Sequence, residues 1–157
     1  MLEFTYVMIK PDGVKKRILS DVIDTFHENG LEVTQIKCAD LDKSQVKEHY
    51  AHLEGREFFN DLVNFMTSGS VMKMIVLGDD AISKVRQLIG PTNVEKAQKE
   101  APHSIRAKYG NPDFGPANAI HASDSKETAL IEIERFYGIK MTQPEPIANK
   151  VNVKQNN

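Results

Sequence analysis

The sequence is poor in cysteine, in long apolar runs, in net charge and in the usual phosphate-binding fingerprints, and each shortage removes a class of explanation. Its 157 residues include one cysteine, Cys38. An intrachain disulfide framework is impossible, which points to a reducing compartment and an expected cytoplasmic location. Cys38 falls in a predicted strand and reads as core filler rather than a catalytic thiol. No apolar run approaches the length of a bilayer span, and the opening MLEFTYVMIKP lacks the basic start and small-residue cleavage site of a signal peptide. No membrane is expected. Formal net charge is −2, from 20 Lys and Arg against 22 Asp and Glu, so no specific nucleic acid is expected as a bulk electrostatic partner. Neither G-x-x-x-x-G-K-[ST] nor G-x-G-x-x-G occurs, so any nucleotide site is not a P-loop or a Rossmann crevice. Internal repeats and low-complexity blocks are also lacking.

What is present fits one domain with a sizeable core: 40% hydrophobic and 27% charged residues. Phe4–Ile9 (FTYVMI) is a short apolar β-rich run closed by Lys10-Pro11-Asp12-Gly13, a buried strand followed by turn chemistry. SDVIDTFHENG puts Val22, Ile23 and Phe26 on one helical stripe and stops at Gly30. LEVTQIKCADL reads as a second strand. Asp42, with Gln45 three residues on, caps a helix whose Val46, Tyr50 and Leu53 share a face. REFFNDLVNFM predicts another helix, SVMKMIVL (Ser70–Leu77) a third strand, and DAISKVRQLIG a helix ended by Gly90.

The polar segment Pro91–Pro116 is long for a loop, with a short helix over Val94–Glu100, and long loops in compact domains tend to be functional. PANAIH predicts a fourth strand. Asp124 and Glu127 form a capping box for SKETALIEIERFYG, whose buried stripe is Leu130, Ile133 and Tyr137. Composition changes after Gly138. Residues 1–138 therefore read as the domain, and 139–157 as an extended tail that packs on a neighbouring subunit or stays mobile. This order of elements predicts an α+β protein, a ferredoxin-like βαββαβ four-stranded antiparallel sheet with packed helices.

Chemistry-bearing residues collect at element ends. Lys10 follows the first strand, Arg86 lies in a helix and Arg106 in the long loop. Each alone reads as a solvated cation; together with His121 they suit phosphoryl transfer, which needs several donors converging on one group. His121 sits in ANAIHASDS (Ala117–Ser125), between an apolar run and a helix start. A neutral imidazole is a nucleophile near neutral pH, and Glu132 and Ser123 are sensible partners to fix its tautomer. His49 and His52, three apart on a helix, lack a further ligand at sensible spacing and read as solvent-facing rather than as a metal pair. His27 and His103 read as surface residues. Of Phe58 and Phe59, one belongs to the core, and one, with Tyr50 and Leu62, could form a slot for a planar base.

Five stretches in order, YVMIKPDGV (Tyr6–Val14), HYAHLEGREFF (His49–Phe59), GPTN (Gly90–Asn93), SIR (Ser104–Arg106) and NAIHASDS (Asn118–Ser125), resemble the nucleoside diphosphate kinases. The resemblance runs from about Phe4 to Tyr137. It implies ping-pong transfer of the γ-phosphoryl of a nucleoside triphosphate, typically ATP, to a nucleoside diphosphate through a phosphohistidine at His121. It further implies that Lys10 binds the transferring phosphate, with Tyr50 close to the histidine, and that Phe58 stacks on the base beside Leu62. Arg86 and Thr92 would hold the outer phosphates, Arg106 would bridge to them, and Asn118 would contact the sugar and phosphate region. Ser123 and Glu132 would orient His121. Asp124 would position, through water, the Mg²⁺ that travels with the nucleotide. A homo-oligomer is implied, hexamer before tetramer.

The chain departs from the family pattern in places. Ala122 stands where glycine usually follows the histidine, which is harmless if its φ is negative. Lys15-Lys16-Arg17 replaces a common Gln-Arg-Gly. The stretch between Asn93 and Arg106 is a few residues longer, with Val94 for a usual proline, in a loop that tends to mediate subunit contacts. Two other functions fit parts of the pattern: a catalytically quiet nucleotide-binding scaffold, and an RNA-binding module of the same strand order.

Overall fold

In the computed structural model, which describes residues 1–146, β1 (Leu2–Ile9) is a central strand because its side chains alternate between two apolar faces. It pairs antiparallel with β3 (Val71–Asp79) along its whole length, and with β4 (Ile120–Ala122) only at Val7–Ile9. β2 (Glu32–Ala39) pairs antiparallel with β3, with an irregularity between Thr34 and Lys37 at Gln35, whose φ is 51°. The strand order β2-β3-β1-β4 is the four-stranded antiparallel, ferredoxin-like sheet expected from the element pattern.

Both faces of the sheet are covered. Val7, Ile9, Met74 and Val76 pack with Val22 and Phe26 of α2 (Leu19–Glu28) and with Val85 and Ile89 of α5 (Ala81–Ile89). Tyr6, Met8 and Ile75 pack on the other face with Val46 of α3 (Lys43–His49), Leu62, Val63 and Met66 of α4 (Phe59–Met66), and Ile133 and Phe136 of α8 (Lys126–Tyr137). Among the described residues, β2 is the strand left largely exposed, and it carries no aromatic residue.

Several local expectations are corrected. The turn after β1 is a short helix, α1 (Pro11–Lys15), because Pro11 at its first position has the right φ and no N–H to waste. Cys38 is exposed, since it lies on the edge strand β2 and points away from the core. The strand predicted over Pro116–His121 shrinks to Ile120–Ala122, because Ala119 adopts a left-handed φ of 73°. α8 is capped by Ser125, which accepts from the Thr128 N–H, and not by Asp124. The buried stripe of α8 is Ala129, Glu132, Ile133 and Phe136, with Leu130 and Tyr137 half-buried. α3 ends at His49, so Tyr50 is its C-cap and Leu53 lies in a following 3₁₀ turn.

The long polar segment contains two helices, α6 (Val94–Glu100), as expected, and α7 (Ile105–Tyr109), which is capped by Ser104. The start of the tail docks on this same chain. The Gln143 amide accepts from the Phe4 N–H (2.7 Å) and donates to the Phe4 carbonyl (2.9 Å), standing in for a neighbouring strand where β4 no longer pairs with β1. Residues 147–157 of the predicted tail lie outside the described residues.

Candidate active site

His121 stands in the middle of β4, opposite Met8 of β1, with its ring toward a cavity of about 640 Å³. Its Nε2 lies 2.6 Å from Glu132 Oε2. The other oxygen, Oε1, accepts from the Ser123 hydroxyl at 2.6 Å. Glu132 is 2% exposed. Burial pushes its pKa up, but the hydrogen bonds from His121 and Ser123 and the nearby imidazole charge outweigh this, and its carboxyl lies below the usual value. A carboxylate that accepts at Nε2 fixes the proton there and leaves the Nδ1 lone pair free. Ala122 pairs with Val7 in β4 and is not among the positive-φ residues, so its methyl group costs the backbone nothing.

The cations expected at the site converge on the same cavity. Lys10 leaves β1 in extended geometry, as a residue before proline must, and its Nζ donates to the Pro116 carbonyl at 3.2 Å. Burial and then the Arg106 charge pull its pKa down to about 7, against an opposing pull from Asp12. Arg106, on α7, spans two elements: Nη1 donates to the Gly90 carbonyl (2.9 Å) and Nη2 to the Ile120 carbonyl (2.8 Å). Burial and the neighbouring Arg86 lower its pKa to about 10, so it stays charged at neutral pH. Gly90 is required here, because a Cβ would meet Ser104 Oγ at 2.4 Å and its φ is 84°. Asn118 donates to the Thr92 carbonyl at 3.0 Å, which ties β4's approach to the loop after α5. Arg86 and Thr92 line the cavity from that loop's side, and Asp124 and Tyr50 line it too.

The lysine and the histidine are held in one unit. The Lys10 N–H donates to the Ala119 carbonyl and the Ala119 N–H to Asp12 Oδ2, both at 2.9 Å. Gly13 sits under this junction, where a Cβ would lie 2.6 Å from the Ala119 oxygen and 2.8 Å from Ile9 Cγ2. Both bonds support the left-handed Ala119, a conformation that costs about 1–3 kcal/mol and persists only where surroundings over-determine it.

Three expected residues stand apart from the cavity wall. Ser123 acts behind it, through Glu132. Phe58, 45% exposed just before α4, presents its ring to solvent, and Phe59 packs into the core. Leu62 is buried one turn along α4 and faces the core. His49 is the residue that sequence reasoning misplaced. Read as solvent-facing, it is instead buried, its ring edge-on to His121 with centroids 4.7 Å apart. Its burial comes from α8, remote in sequence, and no local signal marks it.

His49, His121 and Glu132 offer three ligand atoms within 4.8 Å of one another. Arg135 occupies the His49 Nδ1 lone pair at 2.9 Å, so a cation there would face a guanidinium already in place. Asp124 is the better metal neighbour. It is exposed on the cavity, whereas both oxygens of Glu132 are already committed. A single free carboxylate suits a magnesium ion that keeps most of its waters and takes further ligands from phosphates.

Residues 3–141 match the family model described as nucleoside diphosphate kinase. The chain is 42% identical over 137 residues to a nucleoside diphosphate kinase of Methanocaldococcus jannaschii, covering 87% of this chain and 94% of that one. It is 46% identical over 136 residues to the one from Hyperthermus butylicus, covering 87% and 92%. Among solved structures, the Aquifex aeolicus nucleoside diphosphate kinase superposes with a TM-score of 0.80 at 41% identity, over 86% of this chain and 94% of that one. A halophilic nucleoside diphosphate kinase from Halobacterium salinarum in complex with CDP gives a TM-score of 0.80 at 36% identity, over 95% of each chain.

Proposed function

The chain belongs to the nucleoside diphosphate kinase family, and from that premise we propose that His121 is the residue on which the phosphoryl group rests between donor and acceptor. The protein is a phosphotransferase that moves the γ-phosphoryl of a nucleoside triphosphate to a nucleoside diphosphate. The observation that carries the assignment of His121 is its Nε2 contact with Glu132, which leaves Nδ1 open toward a cavity walled by Lys10, Arg86 and Arg106.

The Nδ1 lone pair attacks the γ-phosphorus, the bond to the bridging oxygen breaks, and the diphosphate leaves. The imidazolium that results keeps its Nε2–H on Glu132, whose carboxylate balances the new charge. The second half-reaction reverses this with a different diphosphate, giving ping-pong turnover. Lys10, Arg106 and Arg86 hold the phosphates, Thr92 and Asn118 orient them and the sugar, and Tyr50 closes the wall beside His121. Phe58 stacks on the base with Leu62 behind it, and a stack without hydrogen-bond readout tolerates every base. Mg²⁺, bound with the nucleotide and held through water by Asp124, would supply further charge neutralisation.

The chain assembles as a homo-oligomer, hexamer before tetramer, a reading supported by the open edge of β2 with its exposed Ile36. Its single cysteine supports a cytoplasmic location. Among the described residues, no helix is long and apolar enough to cross a membrane.

Intact-protein mass after brief incubation with ATP and Mg²⁺, and again after excess GDP, tests the assignment. An acid-labile gain of one phosphoryl group, discharged by GDP and lost in His121→Ala while nucleotide still binds, is expected. Turnover near the wild-type rate in His121→Ala would sink it. No gain with ATP still bound would favour a nucleotide-binding scaffold.

A further inference from the structure

The reaction as derived makes no use of a pair beside His121 on the cavity wall, His49 at the end of α3 and Arg135 on α8. The His49 side chain is 6% exposed and Arg135 is largely buried. Arg135 Nη1 lies 2.9 Å from His49 Nδ1. A guanidinium has donors only, so Nδ1 must accept, and the ring is neutral with its proton on Nε2. Glu132 Oε2 is 3.5 Å from that same Nδ1. With no proton between them this approach is not an ion pair, and Oε2 is left to His121 Nε2 at 2.6 Å.

The imidazole is clamped on its other sides. It stands edge-on to His121, to Tyr50 (centroids 4.6 Å apart) and to Phe136 (5.2 Å). Arg135 is steadied by Glu48, whose Oε1 is 3.7 Å from its Nε. The charged and titratable groups around His49 are Glu132 and Arg135 from α8, His121 from β4, Lys10 from the end of β1, and Tyr50 beside it. Burial and then the His121, Arg135 and Lys10 charges hold its pKa down to about 3, although Glu132 pulls the other way.

We propose that His49 is a positioning residue for phosphoryl transfer and that Arg135 sets its tautomer, so that a neutral ring braces His121 and leaves Glu132 to the His121 Nε2–H alone. The proposal rests on His121 being the phosphoryl acceptor. Without Arg135, the His49 Nδ1 lone pair faces a carboxylate with no donor between them, and a proton taken from solvent fills the gap. A protonated His49 then competes for Glu132 Oε2. His121, released from Glu132, is free to move its own proton to Nδ1, the nitrogen that must stay bare.

The test follows the rate of His121 phosphorylation by ATP and Mg²⁺ in the full chain across about pH 5–8, where a released histidine titrates. In Arg135→Leu the acid limb of the profile is expected to move up by about one pH unit, because the freed Nδ1 can take a proton that Glu132 Oε2, 3.5 Å away, stabilises. Arg135→Lys, which keeps a donor, should show only part of the shift. The double variant Arg135→Leu with His49→Gln should abolish it, because no imidazole remains at 49 to titrate. In parallel, ¹⁵N NMR of histidine-labelled protein should find the Nε2–H tautomer of His49 throughout this range in the wild type, and a titrating ring in Arg135→Leu. A uniform slowing with no shift of the limb would reduce the pair to scaffolding and overturn the proposal. So would a wild-type His49 that carries its proton on Nδ1 or is charged at neutral pH. Failure of the His121 assignment would look different, with no mass gain at any pH while the tautomer spectrum still reads normally.

Discussion

On one side of the cavity Glu132 divides its two oxygens between His121 and Ser123, and it is His121 Nδ1 that stays open toward the cavity. On the other side, Asn118 Oδ1 and Arg106 Nε are buried with no partner, beside a lysine whose pKa is pulled down to about 7. A buried polar group left unpaired costs about 1–3 kcal/mol, so the second side carries a demand that a bound ligand's polar groups would meet. On the proposed assignment, the nucleophile is oriented before substrate arrives, and the phosphate cradle would be completed by the substrate itself. Affinity and reactivity are thus written into different residues, and three substitutions or titrations should separate them.

The largest expected effect is Glu132→Gln, which keeps a hydrogen-bond acceptor but removes the charge. Phosphorylation of His121 in a single turnover should slow by about 10²-fold or more, as expected when the group that orients a catalytic imidazole loses its charge. Calorimetric affinity for a diphosphate should stay within about twofold, because uniform binding is not what the carboxylate supplies. A variant that transfers at the wild-type rate, or that loses affinity instead, would erase the distinction between the two sides.

Lys10 comes next. Burial and Arg106 disfavour its charged form in the fold, so between about pH 7 and the ordinary lysine value near 10.4 the unfolded chain binds more protons than the native one. Stability of the free protein should therefore rise with pH through that window, and the penalty should be complete below it. Bound phosphate returns the proton. Near pH 8 triphosphate binding should take up close to one proton, read as a calorimetric heat that depends on the buffer, and affinity should fall by up to about tenfold per pH unit. Binding without proton uptake would place Lys10 outside the cradle.

Phe58→Ala should give the smallest effect. The ring is half-exposed, so its loss should cost about 1 kcal/mol, roughly a fivefold rise in KM, alike for adenine, guanine and pyrimidine nucleotides. A loss confined to one base would mean that hydrogen bonds, not stacking, read the nucleotide.

The legible parts of this molecule were those whose cause is local. The alternation in β1, the Asp42 cap and the polar helix at Val94–Glu100 follow from neighbours within a few residues, and the structure repeats them. Ser125 took the cap from Asp124 because both are good caps one residue apart, and the choice depends on where β4 releases the chain. Cys38 has the composition of a core position, but β2 has the sheet's open edge, a fact of strand order that its own residues do not carry. His49 is the clearest case. Its spacing from His52 suggested a wet helix face, and only the packing of α8 across α3 turns it toward His121. The motif around His121 and its glutamate was readable; the ring nitrogen left free toward the cavity was not, because it follows from the 2.6 Å contact.

The glycine under the Lys10–Ala119 junction has a consequence for how such a chain can drift. Any side chain at Gly13 collides with the backbone oxygen of Ala119 and with Ile9, so it must part β1 from the residues leading into β4. The lesion would fall on the spacing between a cation and a nucleophile, neither of which had itself been altered. Phe58, open to solvent away from the cavity wall, can change without disturbing that junction, and on the proposed assignment would alter only how firmly a base is held. Mutational tolerance is therefore uneven across the site: nucleotide preference has room to wander, while the step that moves the phosphoryl group hangs on a residue with no side chain at all.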